Sequence, residues 1–484
     1  MKRLLVVLLI CALLLVSCLG EQSQIPNQED VLNKNDPVII DIWTYYNSRS
    51  QEVLDYYIKR FNETEGVTKG IIVRQVAYGE IKALTDALIS ASEDTSKGSQ
   101  MPDLFITYKG IAAQLPISES LVDFKQYISE EEFSQYVDAF VKSGSLPNHP
   151  DKHQMFSIDK ASEVLMINAT AFDEFVAKGI LSYDDLKTYE SLAAAAKRYY
   201  EYTDSLTEEP HDGKVLFGAN ALVNLAWICM AEMGHDITRF EDGKEVVDLD
   251  KESFRRFYQH VYIPYVKGYY DNKNKYVTDD IRLGHTLVGQ SSTSSAPFFP
   301  KEIQGENGMI PIDAKVAALP KFEGTTQRML IQGGGVFGYK RSDKSVVASV
   351  AFLKWLTNEE NALDFAVKKS YMPALKSVFN KNKIVSAYSN GKIEKLTADT
   401  FTMLIDLFEQ NEVYEPTPTE NYESIRSALS RYLNDTWKTG RDEYMRLLDS
   451  GMSSEEASAQ LESDEAFELW FQNLNEVIGS AVKK

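Results

Sequence analysis

Between Val38 and Thr107 the sequence alternates strand signals with helix signals, and this constrains the fold more than any other feature. Val38-Ile39-Ile40-Asp41-Ile42-Trp43 follows a proline and is rich in β-branched residues, the mark of a buried strand. Glu52 to Asn62 carries Val53, Leu54, Tyr57, Ile58 and Phe61 at helical spacing. Ile71 to Ala77 is strand-like again, Ile81 to Ser90 helical, and Asp103-Leu104-Phe105-Ile106-Thr107 another strand. Strand, helix, strand, helix, strand requires right-handed crossovers and a mainly parallel sheet, so the fold class is α/β.

The remainder is read more coarsely. From about Ala169 to Lys275 the pattern is mostly helical, clearest at Ala193 to Tyr200 and Val223 to Met233. Strand signals return at Thr286-Leu287-Val288, at Lys315 to Leu319 and at Met329-Leu330-Ile331. Helices are expected at Ser345 to Leu356, Asn361 to Val367, Tyr422 to Trp437 and Ser463 to Val482. In the last of these Phe467, Trp470, Phe471, Leu474 and Ile478 form one apolar stripe. Ser453 with Glu456 reads as a capping box. Trp355 and Trp470 lie on such stripes and are expected in the core.

The N-terminus is an address. Met1-Lys2-Arg3, the apolar run Leu4 to Val16 and Ser17-Cys18 form a lipoprotein signal peptide, with cleavage after Ser17 and lipid on Cys18. Residues 1–17 would be removed, leaving 467 of 484 residues, enough for two domains. Leu19 to Asn35 is polar and aperiodic, so residues 18–36 are expected to tether the body to a bacterial membrane, on the cell surface or the periplasmic side. The formal charge of −20 becomes −22 once Lys2 and Arg3 leave. Such a surface repels phosphate backbones and anionic head groups, which excludes nucleic acid as a partner and leaves the lipid on Cys18 as the only membrane contact. Cys11 leaves with the signal; Cys18 and Cys229 remain, too few for a structural disulfide.

Three motifs suggest chemistry and do not sustain it. Gly333-Gly334-Gly335-Val336-Phe337-Gly338 matches a dinucleotide fingerprint, yet strand-like sequence follows where a helix must begin. No cofactor is therefore expected, and the glycines mark close backbone approach instead. Gly289-Gln290-Ser291-Ser292-Thr293 starts like a nucleophile elbow but lacks its second glycine. His149 and His153 are four apart, but Pro150 disfavours a shared helical face, so a loop is expected and no metal site.

What remains is aromatic. Trp43, Tyr45 and Tyr46 end the first strand, Tyr78 the second, and Tyr108 with Lys109 the third. In a parallel sheet these are carboxyl ends, where a ligand crevice opens. Rings with a hydroxyl or indole handle suit a flat, hydroxylated ligand such as a sugar. Trp43, Tyr45, Tyr78 and Tyr108 are the candidate contacts.

Several stretches together resemble the family 1 extracellular solute-binding proteins, which capture ligands for ATP-binding-cassette importers. They are Ile42 to Asn47 with the helix ending Arg60-Phe61-Asn62, Met101 to Phe105, and Ser162 to Asn168 leading into Phe172. Gly284 to Ser292, Ala318-Leu319-Pro320, Gln332 to Gly335, Phe352 to Thr357 and Ser370 to Ala374 follow in family order. The resemblance runs from about Val38 to Ser377. It implies a two-lobe periplasmic-binding-protein-like fold of type II, a helix-rich second lobe and a ligand cleft between the lobes. It also places Ser162, Ser292, the Gly334 and Gly335 backbone and Tyr371 at or near the cleft, and Trp227 is counted with them. Met166 and Ile167 stand where the family often has tyrosines, and Glu232-Met233-Gly234-His235 replaces its usual paired glycines.

The expected lobes are residues 37–150 with about 285–345, and 151–284 with about 346–484. The expected function is a monomeric, lipid-anchored, non-enzymatic receptor that hands a sugar or oligosaccharide to the permease subunits of an importer. Its rivals are a receptor for an anionic polyol such as glycerol-3-phosphate, with Lys109 beside the cleft, a secreted glycoside hydrolase, and an adhesin.

Overall fold

The computed structural model describes residues 31–93, 101–305 and 308–482. The opening alternation forms as read. Strands Val38–Thr44, Ile71–Ala77 and Leu104–Thr107 are separated by helices Ser48–Glu63 and Ile81–Glu93. Val38–Thr44 lies parallel between the other two. Gly335–Gly338 then adds antiparallel to Leu104–Thr107, and Met155–Phe156 completes a five-stranded sheet.

A second, seven-stranded sheet is built around Asp159–Asn168. That strand pairs antiparallel with Val288–Ser292, Ala314–Ala317, Arg328–Gln332 and Met372–Pro373. Phe217–Ala219 and Glu412–Tyr414 extend it on either side. The expectation of parallel pairing thus holds for the first three strands, and the second sheet is largely antiparallel. The reason is that two of its strands run out of one sheet into the other.

Met155–Phe156 belongs to the first sheet and Asp159–Asn168 to the second, with only residues 157–158 between. Arg328–Gln332 belongs to the second and Gly335–Gly338 to the first, with residues 333–334 between. The two crossings run side by side: Ile331 opposes Ser162, and Val336 opposes Phe156. Gly333 takes a φ of +117°, which L side chains rarely adopt. A Cβ on Gly334 would come within 3.1 Å of the Thr107 carbonyl and the Tyr45 ring.

Every residue of Asp159–Asn168 is buried. Its alternate faces serve different cores, which explains the absence of a polar stripe. Leu165 and Ile167 join a helix-rich core with Trp227, Tyr265, Leu429 and Trp470, while Val164 and Met166 join a core shared with Phe61, Phe352 and Phe401. The other face of the first sheet, through Phe105 and Phe337, packs on Leu84 and Leu88. The predicted C-terminal stripe is present: Phe467, Trp470, Leu474 and Ile478 are buried along Asp464–Ala481. The capping box of Ser453 with Glu456 forms as read.

Sheet membership divides the chain differently from the expected lobes. Val288–Ser292, Ala314–Ala317 and Arg328–Gln332, expected in the first, hydrogen-bond in the second sheet. The helix Asp343–Leu356, expected in the second, packs on Val38–Thr44 and Ser48–Glu63. The expected tether also ends earlier than residue 36, because Val31 and Leu32 pack on the core and Lys344 binds Asp36. Cys18 lies outside the described residues, among which no helix is long and apolar enough to cross a membrane.

Phe61 is fully buried, its ring centroid 5.1 Å from Phe352 and 5.2 Å from Trp355. Phe61→Ala is expected to cost about 3–5 kcal/mol by lost burial and the cavity left behind. Denaturant unfolding followed at the tryptophans checks this; a loss under about 1 kcal/mol would refute the assignment of Phe61 to the core.

Candidate functional site

The rings expected at the strand ends meet there. Tyr45 and Tyr108 stack at 5.5 Å, and Trp43 packs on Tyr78 at 5.3 Å. Tyr108 is 37% exposed and the other three are half-buried. Tyr46 turns inward, where its hydroxyl accepts a hydrogen bond from Lys369 at 2.8 Å. Burial, then the neighbouring Tyr108, holds the Tyr45 hydroxyl protonated far above its ordinary range, so it stays a neutral donor and acceptor.

Beneath the rings runs the glycine crossing. Tyr45 lies against Gly334, and Tyr371 is 3.6 Å from the Cβ position of Gly333. Lys160, fully buried, donates to the Gly333 carbonyl at 3.1 Å. The lysines here are already matched: Lys369 with Asp159 at 2.6 Å, and Lys109 with Glu415 at 2.6 Å. Buried cations need such partners, because an unpaired one costs several kcal/mol.

The second sheet contributes a polar cluster. The Glu163 carboxylate accepts from Asn224 at 2.8 Å, from Gln332 at 2.6 Å and from Gln290. Arg426 donates to the Asn224 carbonyl oxygen at 2.6 Å. Burial pushes Glu163 up to about 7, against the pull of these amides and Arg426. Sequence reasoning missed this cluster, since Asn224, Gln290, Gln332 and Arg426 come from four segments with no shared motif.

The other expected contacts divide. Ser292 is half-buried, with its hydroxyl accepting from Ser294 at 3.0 Å. Ser162 is 1% exposed, and its backbone N–H donates to the Thr293 hydroxyl at 3.2 Å. Gly335 pairs opposite Thr107 in the first sheet, and its Cβ position points at Met155, in the cluster on which Trp43, Tyr45 and Tyr78 pack. Trp227 is 1% exposed in the helix-rich core, because all of Leu222–Glu232 is buried. The ring beside it is Tyr422, at 5.3 Å, which also lies 3.7 Å from the Cβ position of Gly110 at the start of Lys109–Gln114. Tyr422 therefore stands between Trp227 and the first lobe. His149 and His153 lie in a loop, but not both at the surface as expected, for His153 is buried with its ring 4.4 Å from Phe133; among the described residues no metal-binding group forms.

The model of the bacterial extracellular solute-binding proteins matches residues 56–391 of this sequence. The chain belongs to that family, and its fold is the two-lobe periplasmic-binding-protein-like α/β fold with a cleft between the lobes. The structure is similar to the cyclic alpha-maltosyl-1,6-maltose binding protein of Arthrobacter globiformis, with 16% identity and a TM-score of 0.64 over 92% of this chain and 100% of that one. It is also similar to the ABC substrate-binding protein Lmo0181 of Listeria monocytogenes, solved with cycloalternan, with 15% identity and a TM-score of 0.62 over 92% and 100%. A third similar structure is UgpB of Mycobacterium tuberculosis with glycerophosphocholine, with 14% identity and a TM-score of 0.60 over 92% and 100%. No curated protein matches the sequence.

The raised Glu163 carboxyl gives a signed pH dependence. A carboxyl whose folded value exceeds its unfolded one stabilises the fold fully below the ordinary value of 4.5 and loses that contribution as pH rises through about 7. Glu232, pushed by burial to about 8, acts in the same direction. The stability of the wild type relative to Glu163→Gln is therefore expected to fall between about pH 4.5 and 7. Thermal unfolding of both proteins across that range checks it, and a parallel pH course for the two would contradict it.

Proposed function

We propose that this chain is a lipid-anchored receptor that captures a neutral sugar or oligosaccharide and delivers it to the membrane subunits of an ABC importer. The observation that carries the reading is the pairing of two unlike walls. Hydroxyl-bearing rings at the strand ends of the first sheet lie against Gly334 on one side of the glycine crossing, and Gln332, directly before the crossing on the second sheet, belongs to the amide and guanidinium cluster around Glu163. Such walls hold a sugar by stacking on its apolar face and hydrogen-bonding its rim. The bodies that close are those built on the two sheets, hinged at residues 157–158 and 333–334. Cyclic alpha-maltosyl-1,6-maltose and cycloalternan, named with two similar structures, support the same class of ligand.

In this reading Trp43, Tyr45, Tyr78, Tyr108 and Tyr371 stack or flank the ligand, Gly334 lets it approach the backbone, and Ser162 and Ser292 lie at its edge. Trp227 acts behind Tyr422, and Gly335 by its place in the sheet. The receptor performs no reaction, needs no cofactor and works as a monomer. The glycerophosphocholine of a third similar structure favours an anionic ligand as the second reading. Lys109, the cation that would serve it, is occupied by Glu415, which favours the neutral one.

Calorimetry with a panel of neutral oligosaccharides tests the proposal. One of them is expected to bind and to raise the unfolding temperature, as binding to the native state alone requires. Tyr45→Ala and Tyr108→Ala are each expected to weaken that ligand about 10-fold or more, from roughly 1–2 kcal/mol of lost stacking. Turnover of the panel would refute the receptor reading in favour of a hydrolase. For the anchor, Cys18→Ser should release the protein from membranes of the expressing cell, and retention there would refute lipidation at Cys18.

A further inference from the structure

Glu415 ends the strand Glu412–Tyr414 of the second sheet, and three groups converge on its carboxylate. Lys109, from the first lobe directly after Tyr108, lies 2.6 Å from Oε2. Lys160, at the base of the crossing, lies 3.8 Å from Oε1, and Ser143 donates its hydroxyl to the same oxygen at 3.0 Å. Among the described residues, neither lysine has an ion pair with any other carboxylate, and nearby Asp159 is committed to Lys369. Glu415 is thus the shared counter-charge of two ammonium groups, Lys160 fully buried and Lys109 half-buried directly after the Tyr108 ring. Lys109 and Lys160 outweigh the effect of burial and hold its carboxyl below the ordinary range, so it stays charged at neutral pH.

We infer that Glu415 is a specificity-determining residue that excludes anionic ligands from the cleft by occupying, as a built-in carboxylate, the place a ligand phosphate or carboxylate would take. This rests on the carbohydrate reading and deepens it. Two ammonium groups and a hydroxyl around one oxygen pair is the donor set that recognises a phosphate monoester. With Glu415 in place that set is filled, and a second anion meets the repulsion of the first in a poorly screened site. With Glu415 removed, Lys109 and Lys160 are left uncompensated, a state that an incoming anion relieves. Selection against the wrong ligand by a fixed charge is specificity by rejection. The same carboxylate joins the lobes, since Lys109 follows a strand of the first sheet and Glu415 follows a strand of the second.

The test is calorimetric titration of wild type, Glu415→Ala and the double variant Lys109→Gln/Glu415→Gln with glycerol-3-phosphate, beside the neutral oligosaccharide panel. Wild type is expected to bind a neutral ligand and to bind glycerol-3-phosphate at least about 100-fold more weakly. Glu415→Ala is expected to gain about 10-fold or more for glycerol-3-phosphate, and 0.5 M sodium chloride should erode that gain. The double variant, with one charge of each sign removed, is expected to show no gain, and it keeps the inference testable if Glu415→Ala does not fold. A folded Glu415→Ala without the gain overturns the inference, as does a double variant that acquires it. Wild type preferring glycerol-3-phosphate also overturns it, whereas wild type binding neither class of ligand fails the carbohydrate reading and takes this inference with it.

Discussion

The structure depends on one antiparallel pair of strands that passes through both sheets. Ile331 opposes Ser162 in the second sheet, and a few residues on Val336 opposes Phe156 in the first. A continuous ladder across two bodies would normally weld them. Here the backbone turns at Gly333, with its positive φ, and at Gly334, where no Cβ fits against Thr107 and Tyr45. The pair keeps the two sheets in register, and on the proposed reading residues 157–158 and 333–334 are where closure would turn. The rings reach the crossing because the strands that carry them end beside it, and Lys160 reaches it because its strand begins there.

The crossing also explains the charges. A hinge buried between two cores leaves backbone carbonyls such as that of Gly333 in need of donors. Lys160 supplies one, but its ammonium group must then be balanced inside the protein. Glu415 balances it, and does so together with Lys109 of the opposite lobe. A local requirement of the backbone therefore becomes an electrostatic bond between lobes and a fixed charge at the floor of the cleft.

Part of this was legible in the sequence. The strand and helix alternation of the first lobe depends on neighbouring residues, and its periodicities give the correct elements at nearly the correct limits. The rings were legible for the same reason, since each simply follows a strand. The central strand Asp159–Asn168 was not, because its two faces serve two cores and the alternation that marks a half-buried strand is absent. The sheet membership of Val288–Ser292 was not legible either, because partner choice in an antiparallel sheet is set by residues more than a hundred positions away. The Glu163 cluster has the same character: its members are polar residues of ordinary type, made unusual only by the burial that tertiary packing imposes.

The two kinds of wall differ in how they reach the ligand. The rings are assembled by the first sheet, and the Glu163 cluster by three strands of the second sheet with Asn224 and Arg426 from helices beside it, so on the proposed reading a ligand touches both only when the bodies are apposed. The contacts that join the lobes on this flank include two polar ones, Lys109 with Glu415 and the Gln114 side chain with the Glu420 carbonyl at 2.9 Å, beside the close approach of Pro418 and Tyr422 to Gly110. A hydrogen bond of that kind contributes about 0.5–1.5 kcal/mol net. Moving a two-state equilibrium from mostly open to mostly closed takes about 5.5 kcal/mol of differential binding. The ligand must therefore supply most of the closing free energy through contacts that bridge the walls, and a molecule that reaches one wall alone leaves the population nearly unchanged. On the proposed reading, selectivity is a matter of which molecules can span from Tyr45 and Tyr108 to the cluster around Glu163, and Glu415 would set the charge such a molecule must not carry.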